Sequence, residues 1–420
     1  MQIIDSFICE KSGNNLPEKF LYHIWDEQHI KFDNLTNKSF KSVSGKEIKI
    51  HFPGHYNTMS GADFKNALIE FDGKNLTGDV EIHLNTNDWY SHQHDDNPAY
   101  NTVILHVVLR HNRNENITIN EKNDHIEILE LQYIISDEIE KLFQKYEERD
   151  YLINEKYCGL FASIRPEFLE KMLIQSGVER LEKKIKRFEA ELSFVSLDQL
   201  FYQSILEAMG YSKNKHQFYL FSKDNKWTTY KQKNLSLNDF TEDLITKADF
   251  DNNKYGWYLF RIRPCNHPKT RIYQIAPFIY KSFESSMASE ITKLFSFTKG
   301  SLKLSLLKKR IYENMRYEGI EHKLGKDRID TIVVNIFIPL LIIYSKILND
   351  NELYTLCMKI YHEYNGLQEN HISHIMKKYM TEEQYAVSES KAICQQGLLN
   401  IYHKYCINHL CKLCRCSFEL

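Results

Sequence analysis

Between residues 47 and 131 the apolar residues come in short runs bounded by turn signals, and after residue 135 they recur with the 3.6-residue period of helices. One packed layer cannot serve both patterns. The 420 residues therefore read as two domains, an α/β module over 1–150 and a mainly α-helical domain over 151–420. In the first, residues 47–53 alternate like a strand. Asp63–Asp72 and Asp79–Asn85 read as two strands joined by the turn Asp72-Gly73-Lys74-Asn75. Thr102–Arg110 is nearly all apolar, as a central strand covered on both faces would be. Ile126–Leu131 reads as one more strand. Pro17–Gln28 reads as a helix with Phe20, Leu21, Ile24 and Trp25 on one face. In the second domain, helical stretches are predicted at about 136–148, 166–210, 272–296, 301–315, 326–348, 352–365 and 390–405. The boundary falls near 136–160, around the charged run EERDYLINEK. No internal repeat or low-complexity segment is visible.

Composition narrows the class. Only 8 prolines and 15 glycines argue for helices over long loops, and 42% hydrophobic residues suffice for a core. The start, MQIIDSFICEKSG, has no basic leader or long apolar stretch. The longest apolar run, Thr331 to Tyr344, is short for a bilayer and contains Asn335 and Pro339, so it reads as a buried helix. A soluble, cytoplasmic protein without a membrane partner is expected. Net charge is −2, which by itself does not advertise nucleic acid. The distribution is uneven. Residues 61–160 carry 20 acidic and 9 basic side chains, a net −11, which leaves +9 for the remainder. That asymmetry suits a phosphodiester held by one part and cut by the other. Solvated charged faces give the same statistics.

The densest chemistry lies in residues 54–111. Asp63 precedes one strand-like run. Glu81 and His83 sit two apart on another, so both point to one face while Val80, Ile82 and Leu84 point to the other. A carboxylate and an imidazole on one face can share a metal ion. The order A-D-x17-E-x-H resembles the PD-(D/E)XK nuclease motif, with Ala62 in place of the proline and His83 in place of the lysine. The resemblance implies a restriction-endonuclease-like mixed sheet with Asp63, Glu81 and His83 as catalytic metal ligands for Mg²⁺ or Mn²⁺. Imidazole ligates metal more naturally than it replaces a lysine cation. A polar hairpin face with ordinary hydrogen-bonded carboxylates fits the same residues.

Asp88, His92, His94, Asp95 and His106 crowd the same stretch. Imidazole ligands shift preference from Mg²⁺ toward Mn²⁺ or Zn²⁺. His92-x-His94 also suits a hydrogen-bonded loop, and His106, inside an apolar strand, suits a satisfied core position. Trp89 and Tyr100 read as packing groups. Near the end, Cys406-x4-Cys411-x2-Cys414 has metal-binding spacing. Cys158, at the domain boundary, is the first choice for a fourth ligand, with Cys416 and Cys394 as alternatives. The set accommodates zinc or an iron–sulfur cluster, and it resembles the cysteine staple of some PD-(D/E)XK nucleases. Free thiols are the other reading. Glu179–Lys186 and Leu302–Arg310 read as basic helical surfaces. Finally, FRIRPCNHPKTR places Arg261, Arg263 and Arg271 around two prolines, with Gln274 one turn into the next helix. These four are the candidate substrate-binding residues, since such a cluster can contact phosphates. A structural loop accounts for them equally well.

The segments FLYHIW, GHYNTxSGADF, GDVEIH, DWYSHQH, YNTVILHVV, FRIRPCNHPKTRIYQ, IDTIVVNIFIPLL and QQGLLNIYHKYC resemble an uncharacterised bacterial family, domain of unknown function 2851. That resemblance implies no activity. No P-loop, dinucleotide fingerprint, G-x-S-x-G elbow or H-E-x-x-H motif is present. The expectation is a metal-dependent nuclease acting on DNA or RNA. Two rivals stand beside it: a non-catalytic nucleic-acid or protein-interaction module on the same sheet, and a zinc hydrolase of a small substrate built from His83, His92, His94 and Asp88. Oligomeric state is not legible.

Overall fold

The computed structural model describes residues 18–28, 39–57, 60–135, 158, 160–161, 164–211, 213–295, 304–317, 319 and 323–418. They form two compact units. The first is Met1–Ile164 with Ile401–Leu420, and the second is Arg165–Asn400. The C-terminal cysteine segment thus belongs to the sheet-bearing unit, whereas the sequence pattern attached it to the helical domain.

The first unit is built on a mixed eight-stranded sheet. Its strands are β1 (Phe40–Lys41), β2 (Glu47–Phe52), β3 (His55–Tyr56), β4 (Phe64–Phe71), β5 (Lys74–Asn85), β6 (Val103–Arg110), β7 (Ile117–Ile119) and β8 (His125–Glu130). The order is β1-β2-β4-β5-β6-β8-β7, with β3 also on β4. β4 and β5 pair antiparallel, whereas β5–β6 and β6–β8 are parallel. The β4–β5 turn is the one expected. Asp72 and Gly73 hold φ of 47° and 80°, and Phe71 pairs with Lys74. Two left-handed residues in a two-residue loop match the twist of the strands they join. The hairpin continues past that expectation, so β5 begins at Lys74 and runs twelve residues.

β5 is central, and both of its faces are covered. Val80 and Ile82 are fully buried on one side, and Glu81 and His83 are 5% and 1% exposed on the other. The alternation follows the sequence pattern, yet the polar face does not meet water. Helix α1 (Glu18–Asp26) and the short α2 (Asp88–Ser91) both pack on β5. In α1, Phe20, Leu21, Ile24 and Trp25 are buried as the periodicity predicts, and Trp25 Nε1 donates to Pro53 O at 2.9 Å.

The second unit is helical. The predicted 166–210 stretch is two helices, α3 (Pro166–Leu192) and α4 (Leu197–Met209). Ser196 divides them, because its side chain accepts the Gln199 N–H and caps α4. The 272–296 stretch is likewise divided into Pro268–Lys281 and Met287–Phe295. Lys326–Leu348 is continuous, with a π turn at Val333–Phe337 just ahead of Pro339. A wide turn accommodates a proline that cannot donate. This helix is long and apolar enough to cross a membrane, but 67% of its apolar window is buried in the protein, as in a core helix. The helix predicted at 136–148, the run EERDYLINEK, and the start of the 301–315 stretch lie outside the described residues.

Two glycines set the spacing within the second unit. A Cβ on Gly177 would lie 2.3 Å from Ile393 O, and one on Gly397 would lie 1.9 Å from Leu173 O. α3 and Ala392–Ile401 therefore touch backbone to backbone. Gly397→Ala should force them apart at a cost of about 1–3 kcal/mol. Thermal denaturation measures this, and an unchanged melting temperature would contradict the close crossing.

Candidate metal centre

Asp63 stands one residue before β4, and Glu81 and His83 stand on β5. The antiparallel pairing brings them together. The Asp63 N–H donates to Glu81 Oε2 at 3.0 Å, and Asp63 Oδ2 accepts the Ile82 N–H at 3.0 Å. Beyond β5 the chain turns through α2 and a 3-10 turn at His94–Asp96, which returns His92 and His94 to the same place. Glu81 Oε1 lies 3.2 Å from His94 Nε2 and 3.6 Å from His83 Nε2. His83, His92 and His94 each offer a ligand atom, and these atoms all lie within 4.8 Å of one another. Among the described residues this is the one such group. Asp63, Glu81 and His83 thus lie together, and His92 and His94 join them.

A chain of imidazoles fixes His83. Its Nδ1 lies 2.9 Å from His106 Nε2, and His106 Nδ1 lies 2.9 Å from Thr118 Oγ1. His83 Nε2 faces His92 Nδ1 at 3.2 Å. If His83 Nε2 carries the lone pair, then its Nδ1–H donates to His106 and His106 Nδ1–H donates to Thr118. That tautomer pattern is the usual support of a ligating histidine. His106 is fully buried in the apolar β6 with a partner at each ring nitrogen, which fits the satisfied core position expected of it. His94 stacks on Tyr100 with centroids 3.7 Å apart, and its buried Nδ1 has no hydrogen-bond partner.

Burial controls the charges. It pushes Asp63 up to about 7, helped by the neighbouring Glu81, and it pushes Glu81 up to about 8. Burial likewise brings His83 down to about 2 and His106 down to about 3. The site thus combines neutral imidazoles with carboxylates reluctant to ionise. A cation would reverse that reluctance, and the donor set is one that Mn²⁺ or Zn²⁺ accepts.

Three further residues reach the site. Glu18, on α1, interacts with Asp63, His92 and His94, and burial followed by Asp63 raises it to about 7. Tyr22, one turn later, hydrogen-bonds Asp63. Lys65 bonds Asp79 at 2.8 Å, and its charge favours ionised Glu81. The i, i+4 spacing of Glu18 and Tyr22 was the available signal for the first two. Asp88 instead closes a turn, because its Oδ2 accepts the Asn85 N–H at 2.8 Å. Asp95 is half-buried and lies within electrostatic reach of His94.

The cation cluster lies in the second unit. Arg271 is 4% exposed and donates to Gln274 Oε1 at 2.8 Å and to Tyr211 OH at 2.6 Å. Its guanidinium also reaches Asn266 Oδ1 at 2.5 Å. Arg271 and Gln274 therefore bond each other inside the unit and hold the loop in place. Arg261 and Arg263 are exposed, with Arg261 stacked over Phe260.

Fold and site together define a two-unit protein, with a mixed-sheet module carrying a buried carboxylate–histidine cluster and a helical unit beside it in sequence. The chain belongs to DUF2851, a family of proteins of unknown function, whose model matches residues 18–250 and 230–371. No curated protein and no solved structure matches the chain significantly.

Stability should carry the imprint of the raised carboxyls. Their ordinary values are 3.8 and 4.5, and their folded values about 7 for Asp63 and Glu18 and about 8 for Glu81. The folded state then holds protons that the unfolded chain has lost, so stability falls as pH rises. The depressed His83 and His106 oppose this decline near pH 6.5, where the unfolded imidazoles are still partly protonated, but two histidines do not outweigh three carboxyls and their effect fades about one pH unit higher. Metal-free protein should therefore lose melting temperature between pH 6.5 and about 8, and Glu81→Gln should flatten the decline. A wild-type melting temperature that is level or rising across this window would contradict the raised values.

Proposed function

We propose that the sheet unit is a divalent-metal-dependent hydrolase of phosphodiester bonds in DNA or RNA, on a restriction-endonuclease-like variant of the mixed sheet. One observation carries the reading: Glu81 Oε1 lies beside the ring nitrogens of both His83 and His94 while Glu81 Oε2 is tied to Asp63. Glu81, His83, His92 and His94 would hold Mn²⁺ or Mg²⁺. When bound, such an ion lowers the pKa of a water and stabilises charge on the phosphorus centre. Asp63 is oriented by the Ile82 N–H and Tyr22, which suits it to complete the ligand set or to receive a proton from the attacking water. Lys65 offers a cation beside the acidic cluster. Arg261 and Arg263, exposed in the second unit, remain the phosphate-contact candidates there. The acidic module within a chain of net −2 supports an anionic substrate gripped elsewhere in the protein.

A second reading is favoured by the three histidines. His83, His92 and His94 alone satisfy a catalytic zinc site with one open position, which suits hydrolysis of a small ester or amide.

Substrate panels separate the two. Protein loaded with Mn²⁺, Mg²⁺ or Zn²⁺ should cut single- or double-stranded DNA or RNA, and Glu81→Ala should bring cutting to background while the fold persists. Hydrolysis of p-nitrophenyl esters with zinc, and no cutting of nucleic acid, would transfer the site to the second reading. His83→Lys retains activity with Mg²⁺ only if His83 positions water and does not ligate. No activity with any metal on either panel would leave an interaction module and end both readings. Arg263→Ala should weaken nucleic-acid binding with a shallower salt dependence.

The imidazole chain makes a separate prediction. Thr118→Val removes the acceptor for His106, and metal affinity measured by calorimetry should fall about 10–100-fold. Unchanged affinity would show that His106 and Thr118 only pack.

A further inference from the structure

The cysteines raise a separate question. Cys406 ends the π turn Tyr402–Cys406, and its carbonyl accepts the His409 N–H at 3.1 Å. His409 then takes a left-handed φ of 57°, which reverses the chain. The helix Cys411–Ser417 follows, with Cys411 at its start and Cys414 one turn on. The Cys414 N–H donates to Leu410 O at 2.9 Å, so the turn and the helix form one hydrogen-bonded piece. Cys414 is 5% exposed, and Leu413 beside it is fully buried. Three thiols are thus gathered by a single reversal.

The fourth comes from far away in sequence. Cys158 and Ile401–Leu420 fall in the same compact unit. Every pairing among Cys158, Cys406, Cys411 and Cys414 lies within electrostatic reach. None of the four is in a disulfide. Cys394 and Cys357 are buried in the second unit, and Cys265 is exposed there. The side chain of Cys416 lies outside the described residues.

We propose that Cys158, Cys406, Cys411 and Cys414 bind one metal centre, zinc or an iron–sulfur cluster, that fastens the end of the chain to the sheet unit. Four thiolates satisfy either chemistry. The sulfurs are gathered but are not within the 4.8 Å spacing that the histidine group shows. A metal would have to draw them closer, in the way that ligation couples to folding in structural sites.

The surroundings say what such a fastening would do. Lys404 Nζ lies 3.4 Å from Glu27 Oε2, and the Tyr405 ring lies 5.6 Å from His23. Asn408 Oδ1 accepts from Tyr56 OH at 2.8 Å. Glu27 follows α1 directly and His23 lies within it, the same helix that brings Glu18 and Tyr22 to the candidate metal centre. The cysteine site would buttress that helix from behind. It stands independently of the proposed hydrolase.

Full-length protein purified without oxygen tests the idea by metal analysis, acid-labile sulfide and visible spectrum. Colourless zinc that Cys158→Ser loses would assign zinc, and iron with sulfide and visible absorption would assign a cluster. Cys158→Ser and Cys411→Ser should each lose that metal and melt at lower temperature, while Cys265→Ser keeps it. If the serine variants do not fold, cobalt loading of the wild type decides. Thiolate ligation gives an intense sulfur-to-cobalt charge-transfer band, which an imidazole–carboxylate site cannot produce. Wild-type protein that shows no such band and holds neither zinc nor iron overturns the proposal, as does full metal retention by Cys158→Ser. Failure of nuclease assays would leave these readouts unmoved.

Discussion

The sheet unit depends on the requirement that β5 bury Glu81 and His83 without leaving either unpartnered. An ionisable group removed from water costs several kcal/mol unless its hydrogen bonds are replaced. Here the replacements come from different elements. The backbone ahead of β4 supplies the Asp63 N–H, β6 supplies His106, β7 supplies Thr118, and the turn after α2 supplies His94. All of this requires β5 to be antiparallel to β4 and parallel to β6 in one register, with Glu81 opposite His106. A one-residue slip would turn Glu81 and His83 to the apolar face and Ile82 to the polar one. Polar satisfaction and strand register therefore specify each other.

Helix α1 does two jobs through its two faces. Phe20, Leu21, Ile24 and Trp25 anchor it, and that anchoring is what allows Glu18 and Tyr22 to stand over the carboxylates. Tyr22 and Tyr56 both pack against Phe64, the first residue of β4 after Asp63. Tyr56 in turn bonds Asn408. The aromatic contacts link the C-terminal segment to the candidate site through packed side chains, so displacement of that segment would be felt at Asp63.

Much of this was legible in the sequence, for identifiable reasons. β2, β4, β5, β6 and β8 were visible because their residues alternate or are continuously apolar, and the β4–β5 turn because Asp72-Gly73 demands positive φ. β1, β3 and β7 are two or three residues long, too short for periodicity to register. The 166–210 helix was overcalled because apolar spacing continues across Ser196, whose capping role depends on a local hydrogen bond. Glu81 and His83 were legible from strand parity, and Asp63 from its spacing ahead of them. For His92 and His94 the pattern leaves zinc ligands and a hydrogen-bonded loop both open, since only the turn through α2 returns them to His83. Glu18 was missed because its partners lie 45 or more positions away. The neighbourhood of Cys158 with the terminal cysteines is long-range as well. There, residue chemistry pointed to the grouping where pattern could not.

The site's protonation gives the last constraint. Without a cation, Asp63, Glu81 and Glu18 tend to keep protons near neutrality, while His83 and His106 shed theirs. Both shifts have the same first cause, exclusion of water, and both move the cluster toward neutrality. A divalent ion would replace carboxyl protons with its own charge and would find imidazole nitrogens already free. Binding would therefore release protons, and its apparent affinity would rise with pH until the carboxyls are ionised. The same burial makes the metal-free state tolerable and would favour a bound cation, because at a buried site either protons or a cation must offset the carboxylates.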